Sequence, residues 1–164
     1  LVLGTAATAL LSTAYATMRQ VGCYPTPATS YTHLTPKEVA VLTLLGDFLL
    51  PPGGDLPGSA GDVETLHRID HFFDGLPPHK RRLVRALPQV FEHGSGLSRF
   101  GARSMTRLPS ERLADYLDQW AYARVTVKAQ LWTALKTVYS LTYFERPDVL
   151  AAMSMPTLCG GPER

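Results

Sequence analysis

Between Leu34 and Leu50 the chain reads LTPKEVAVLTLLGDFLL, and Val41, Leu42, Leu45, Phe48 and Leu49 recur at helical spacing. Thr35 stands where a cap belongs, Pro36 suits the first helical position, and Glu38 completes a T-x-x-E capping box. Leu34, just before the cap, is placed to staple onto the first turns. Pro51 and Pro52 end the pattern, because a proline offers no N–H and the residue before it avoids helical angles. PPGGDLPGSAGD then reads as a loop.

Five more helical stretches follow. Asp62 looks like the cap of VETLHRIDHFFDGL, with Val63, Leu66, Ile69 and Phe73 on one face and Gly75 ending it. In LPPHKRRLVRALPQVFEHG the stripe is Leu83, Leu87 and Phe91, and Pro88 is expected to kink the helix or shift its start. The glycine- and serine-rich GSGLSRFGARSMTRLP predicts a loop with a short helical turn. Ser110 is read as the cap of the next helix, with Leu113, Tyr116, Leu117 and Trp120 as its stripe. Residues 121–144 keep the period through Val127, Leu131, Leu135, Val138 and Leu141, and a short last helix starts near Pro147. No period-2 alternation and no internal repeat interrupts this pattern, so the expected fold is all-α, a small bundle-like domain of about five or six helices preceded by an apolar N-terminal segment. The divisions expected are an apolar segment 1–19, an extended linker 20–34, a helical domain 35–155 and an irregular tail 156–164.

The first segment, LVLGTAATALLSTAYATM, carries no charge until Arg19 and is at the lower length limit for a membrane span. AYA at Ala14–Ala16 has the small-x-small form of a signal-peptidase site. Three readings fit: an export signal, a retained anchor placing residues 1–18 in the membrane, or a buried helix.

The 164 residues suit one domain. Hydrophobic residues make up 45% and charged residues 18%, below the usual quarter, which fits a subunit with a covered face, a membrane segment or a compact monomer. A net charge of +2 without an extended basic stripe is too small to imply a nucleic-acid partner, and none is expected. Cys23 and Cys159 form no C-x-x-C, which removes zinc-ribbon and thioredoxin readings. An intrachain disulfide, a bond to another chain and two unconnected thiols all stay open.

Glu64, His67, Asp70 and His71 are the strongest candidate constellation, since His67 and His71 lie one helical turn apart and can face one metal. The order is not H-E-x-x-H, and a plain polar helix face is the competing reading, so Glu64, His67 and His71 are weak candidates. Lys80, Arg81, Arg82 and Arg85 form a tight basic group, read as a solvated face or as a contact for phosphate or an acidic partner. GSG at Gly94–Gly96 follows a helix rather than a strand, which fails the dinucleotide fingerprint, and Ser95 near His93 is no evidence of a triad. There is no nucleophile elbow, P-loop lysine or C-x-x-C-H haem site, so no catalytic or cofactor-binding residue is assigned. Aromatic residues gather in the C-terminal half on more than one helical face. Trp120, Trp132, Tyr139, Tyr143 and Phe144 are therefore candidates for an interface as well as for the core.

LTPKEVAVLTLLGDFLLPP, the glycine/proline loop and VETLHRIDHFFDGLPPHKRRLVRAL, together with RLADYLDQWAYARVTVKAQLWTALKTVYSLTYFERPDVLAAM, resemble the small-subunit family called gluconate 2-dehydrogenase subunit 3. The likeness spans about residues 34–155 and rests on the order and spacing of apolar patterns and prolines. It departs at the end, where MSMPTLCGGPER replaces the family's glycine–tyrosine ending. The resemblance implies a non-catalytic, helical partner of a large FAD-dependent dehydrogenase of the glucose–methanol–choline type, supporting that subunit's folding, twin-arginine export and assembly. It further implies a sugar, sugar acid or alcohol as the partner's substrate and a periplasmic, inner-membrane-associated location in a bacterium. No cofactor is expected in this chain; FAD belongs to the partner and haem c to a multihaem cytochrome subunit. A membrane-anchored adaptor of another envelope complex, or a metal-binding helical protein, is the alternative.

Overall fold

The structure is a computed structural model that describes residues 24–95, 103–124 and 126–154. The apolar segment 1–19, Cys23, Cys159 and the tail 156–164 lie outside the described residues, so the readings placed on them stand as expectations. Among the described residues the chain is all-helical, as expected, with six α-helices and no strand. They are α1 (Pro36–Leu49), α2 (Val63–Phe72), α3 (Pro78–Gly94), α4 (Ser110–Ala121), α5 (Thr126–Tyr143) and α6 (Pro147–Ala152), with a 3-10 turn at Met105–Arg107 between α3 and α4. No described helix is long and apolar enough to cross a membrane.

Helix α1 begins as its sequence dictates. The Thr35 side chain accepts from the Glu38 N–H and the Glu38 carboxylate accepts from the Thr35 N–H at 2.8 Å, which completes the capping box. Leu50 is extended ahead of Pro51, and the helix stops there. The following loop folds back on α1: the Ser59 hydroxyl donates to Asp47 at 2.6 Å and the Ala60 N–H to the Leu50 carbonyl at 3.2 Å. Gly46 allows this closeness, since a Cβ there would overlap Gly61 N and the Ala60 carbonyl. Gly58, at φ +71°, adopts a left-handed turn that brings Asp62 and Arg146 against the loop.

Helix α2 packs along α5, α1 along α3 and α4 against α5, while the 3-10 turn bridges α1 and α3. Phe91 lies at the centre of an aromatic core, 4.5 Å from the ring of Trp120 and 5.9 Å from that of Trp132, with Phe48 6.1 Å from Trp132. The Tyr116 hydroxyl donates to the Phe91 carbonyl at 2.7 Å and the Tyr139 hydroxyl to the Leu42 carbonyl, so two buried phenols tie helix to helix.

Several expectations need correction. Leu83 is 72% exposed, and α3 turns Val84, Leu87, Pro88 and Phe91 inward instead. Helix α3 runs from Pro78 to Gly94 with Pro88 inside it, so of the two effects expected of that proline the shifted start is not seen. Val63 stands half out at the start of α2, and Val127 and Leu141 are exposed on α5, whose inner face is Trp132, Leu135, Val138, Tyr139, Thr142 and Tyr143. On α5 the Trp132, Tyr139 and Tyr143 side chains outweigh the smaller aliphatics in setting which way the helix faces, because each buries more apolar area. Ser110 is the first residue of α4 rather than its cap; Pro109 takes the cap position without a side-chain bond.

Gly46→Ala is expected to lower the urea-derived stability by about 2 kcal/mol, because the added methyl must displace backbone. Gly54→Ala, which meets open space, should stay within about 0.5 kcal/mol of the unsubstituted chain in the same titration.

Candidate functional site

Residues 24–34 carry no helix and form a strap fastened to α2 and α3. Asp70, buried on α2, accepts hydrogen bonds from three successive strap amides, Thr32 at 2.7 Å, His33 at 2.8 Å and Leu34 at 2.9 Å. Tyr31 stacks on His67 with ring centroids 4.6 Å apart, and His33 Nε2 lies 2.7 Å from Asp74 Oδ1. From α3, the Arg85 guanidinium donates to the His33 carbonyl and, at 2.9 Å, to Glu38. Leu34 is buried beneath these contacts.

A second polar cluster sits where the strap begins. Glu92 of α3 is fully buried and accepts from the Tyr24 hydroxyl, from the Thr106 hydroxyl at 2.7 Å and from the Thr106 N–H at 3.1 Å. It joins the strap, α3 and the 3-10 turn. Lys37 is only 3% exposed; its Nζ lies 2.8 Å from His93 Nε2 and 5.9 Å from the centre of the Tyr24 ring. Burial lowers the Lys37 ammonium below its usual range, with Glu92 and Glu38 acting against that. Burial and the neighbouring Glu92 push the Tyr24 phenol up to about 12, so it stays protonated and donates.

A third cluster closes the other end. Arg146, 5% exposed, donates to Asp62 and Thr65 of α2 and, at 2.6 Å, to Asp148. It also lies 5.4 Å from the centre of the Tyr143 ring, and the Tyr143 hydroxyl donates to the Pro57 carbonyl at 3.0 Å. Asp62 caps α2 through Thr65 N–H, as its sequence position predicted. Burial pushes the Asp62 carboxyl up, but the hydrogen bonds from Arg146 and Thr65 outweigh it and hold the carboxyl below the usual range. The Arg146 hydrogen bond does the same for Asp148.

The candidate metal constellation is not assembled as a ligand set. Glu64 pairs with Arg68 at 3.2 Å, His67 stacks on Tyr31, His71 Nδ1 lies 3.5 Å from Asp74, and Asp70 faces the strap amides. Glu64, His67 and His71 do share an open cleft with Leu141 and Glu145. Among the described residues, no three His, Cys, Asp or Glu side chains come together to hold a metal ion. Of the basic group, Lys80 and Arg82 are exposed, whereas Arg85 is committed to Glu38 and the strap. The interface expectation is corrected for Trp120, Trp132, Tyr139 and Tyr143, which are buried in the domain's own core; Phe144 packs against it half-buried, edge-on to Tyr143. Ser95, near His93 in sequence, donates to the Glu92 and Arg103 carbonyls.

Sequence reasoning missed Tyr24, Lys37, Glu92, Thr106 and Arg146. A signal was present for one of them: Glu92 directly follows the inward Phe91 and lies one turn past Pro88. A charge on an inward helical face marks a buried, paired group. No family model, curated protein or solved structure matches this chain.

Asp70→Ala is expected to cost roughly 2–4 kcal/mol and to speed hydrogen exchange at the amides of Thr32, His33 and Leu34 above all others, since three donors lose one acceptor. The depressed Asp62 and Asp148 carboxyls add stability above the ordinary aspartate value and lose it as the pH falls through their folded values. The urea midpoint should therefore drop below about pH 4, and Arg146→Met should flatten that drop while lowering the midpoint at neutral pH.

Proposed function

We propose that this chain is a non-catalytic helical subunit that docks on a large FAD-dependent dehydrogenase of the glucose–methanol–choline type at the periplasmic side of the bacterial inner membrane. In this role it supports folding, export and assembly of the catalytic subunit, which holds the FAD and takes a sugar, sugar acid or alcohol, with haem c in a further cytochrome subunit. The resemblance of residues 34–155 to the gluconate 2-dehydrogenase subunit 3 family supports the assignment.

The observation that carries it is how the charged side chains are used. Asp70, Glu38, Glu92, Arg85 and Arg146 hold one segment of the chain to another. The chemistry-bearing residues thus serve to make a rigid body. Meanwhile Leu83, Tyr122, Val127 and Leu141 remain on the surface of a domain whose large aromatics already fill its own core. A rigid scaffold with apolar side chains to spare suits a subunit that leans on a partner.

Isolation from the producing bacterium through a tag on this chain tests the reading. The expected companion shows a flavin spectrum that a sugar, sugar acid or alcohol bleaches, and the yield of folded flavoprotein falls when this chain is deleted. Recovery of this chain alone, monodisperse, with flavoprotein yield unchanged on deletion, would remove the proposal.

A further inference from the structure

Helix α1 carries no charged residue from Val39 to Gly46, so two of its turns are apolar on every side. Its charges are committed to other groups: Lys37 to His93, Glu38 to Thr35 and Arg85, Asp47 to Ser59. A helix that is hydrophobic all round is one that something covers. The core covers Val41, Leu42 and Leu45. Away from them Pro36, Ala40, Thr43 and Leu44 recur at i, i+4, i+7 and i+8, and this stripe lines a groove of about 470 Å³. The groove is completed by Tyr24, Pro25 and Pro27 of the strap and by Thr106 and Arg107 of the 3-10 turn.

Tyr24 is also where the chain arrives. Residues 1–23 precede it and lie outside the described residues. In their sequence Ala7, Leu10, Leu11, Ala14 and Met18 recur at i, i+3, i+4, i+7 and i+11, while Thr5, Thr8 and Ser12 recur at i, i+3 and i+7 on the other side. One apolar face and one hydroxyl-bearing face suit a helix laid on a surface, whereas a membrane span is apolar all round. Residues 19–23 reach about 17 Å when extended, and the stripe from Pro36 to Leu44 is about 12 Å long, so the tether spans it. A segment held this close meets the groove at an effective concentration on the order of millimolar.

We propose that residues 7–18 dock as a helix in this groove of their own chain, with Leu10 and Leu11 set against the Ala40–Leu44 stripe. Ala40 and Thr43 are small, as are Ala7 and Ala14 of the segment, and small residues at a contact let two helices come close. The inference stands apart from the accessory-subunit reading, since it assigns the apolar segment a place within this chain whatever the domain leans on. The other terminal segment fits less well: residues 156–164 carry Glu163 and Arg164, have no such apolar face, and leave from α6, which closes on α2. A second copy would have to displace a segment that is already tethered.

The test uses the full chain with a photo-crosslinking residue in place of Thr26 or Arg107, both exposed beside the groove. Each should join to a peptide from residues 7–18 of the same chain, with a yield independent of protein concentration. Leu11→Asp should cut that yield about tenfold, the ratio set by returning one leucine side chain to water. Ser12→Asp, on the hydroxyl-bearing face, should leave it unchanged. Both variants should keep a cooperative melting transition, because the domain's core is built by residues outside the segment. Full yield with Leu11→Asp, equal loss with Ser12→Asp, or no crosslink to residues 7–18 overturns the docking. A crosslink to residues 155–164, or one between two chains, gives the groove another occupant and overturns it as well. So does an intact mass that shows cleavage after Ala16, or a wild-type chain that sediments with phosphatidylglycerol vesicles and loses the crosslink there.

Discussion

Glu38 has no contact with water, and its carboxylate is shared between the Thr35 cap and the Arg85 guanidinium of α3. A buried charge is tolerable only when its oxygens are filled, so the start of α1, the middle of α3 and the end of the strap must come to one place. Arg85 extends the demand by donating also to the His33 carbonyl. With α1 and α3 locked by this pair, the aromatic core beneath them has fixed walls. Phe91 then falls between Trp120 and Trp132, and α4 and α5 pack through the same rings.

The same rule is applied at the other buried acids. Asp70 gathers three amides of the strap, and Glu92 gathers Tyr24 and Thr106. Each carboxylate thereby fastens a segment that has no regular structure of its own. Irregular backbone needs partners for its N–H groups wherever it is covered, and side-chain carboxylates supply them more strongly than neutral acceptors. Arg146 works with the opposite sign, drawing Asp62, Thr65 and Asp148 together so that the short α6 closes on α2. The result is a domain in which polar chemistry makes the frame rigid.

Glu64, His67 and His71 show how spacing alone misleads. They do lie on one side of α2, as helical geometry requires, and they share a cleft. What spacing could not reveal is that Tyr31, far away in the chain, stacks on His67 and that Arg68 takes Glu64. The strap, an expected linker, supplies the partner that turns a candidate ligand into a packing contact.

Local signals determined the helices. The capping box at Thr35–Glu38, the Asp62 cap and the stop at Pro51 are decided within a few residues, because caps and prolines act through backbone groups one turn away. The all-helical class and the inward positions Val41, Leu42, Leu45, Leu66, Ile69, Tyr116, Leu117 and Trp120 were legible for the same reason. Tertiary structure alone decided which of two apolar rows on α3 and α5 turns inward, leaving Leu83, Val127 and Leu141 outside. It also decided that Asp70, Glu92 and Arg146 are buried and reach segments 14 to 84 residues away. A helical period fixes an angle around an axis but not the direction of the core, and the partner of a buried charge is chosen by the packing of whole helices.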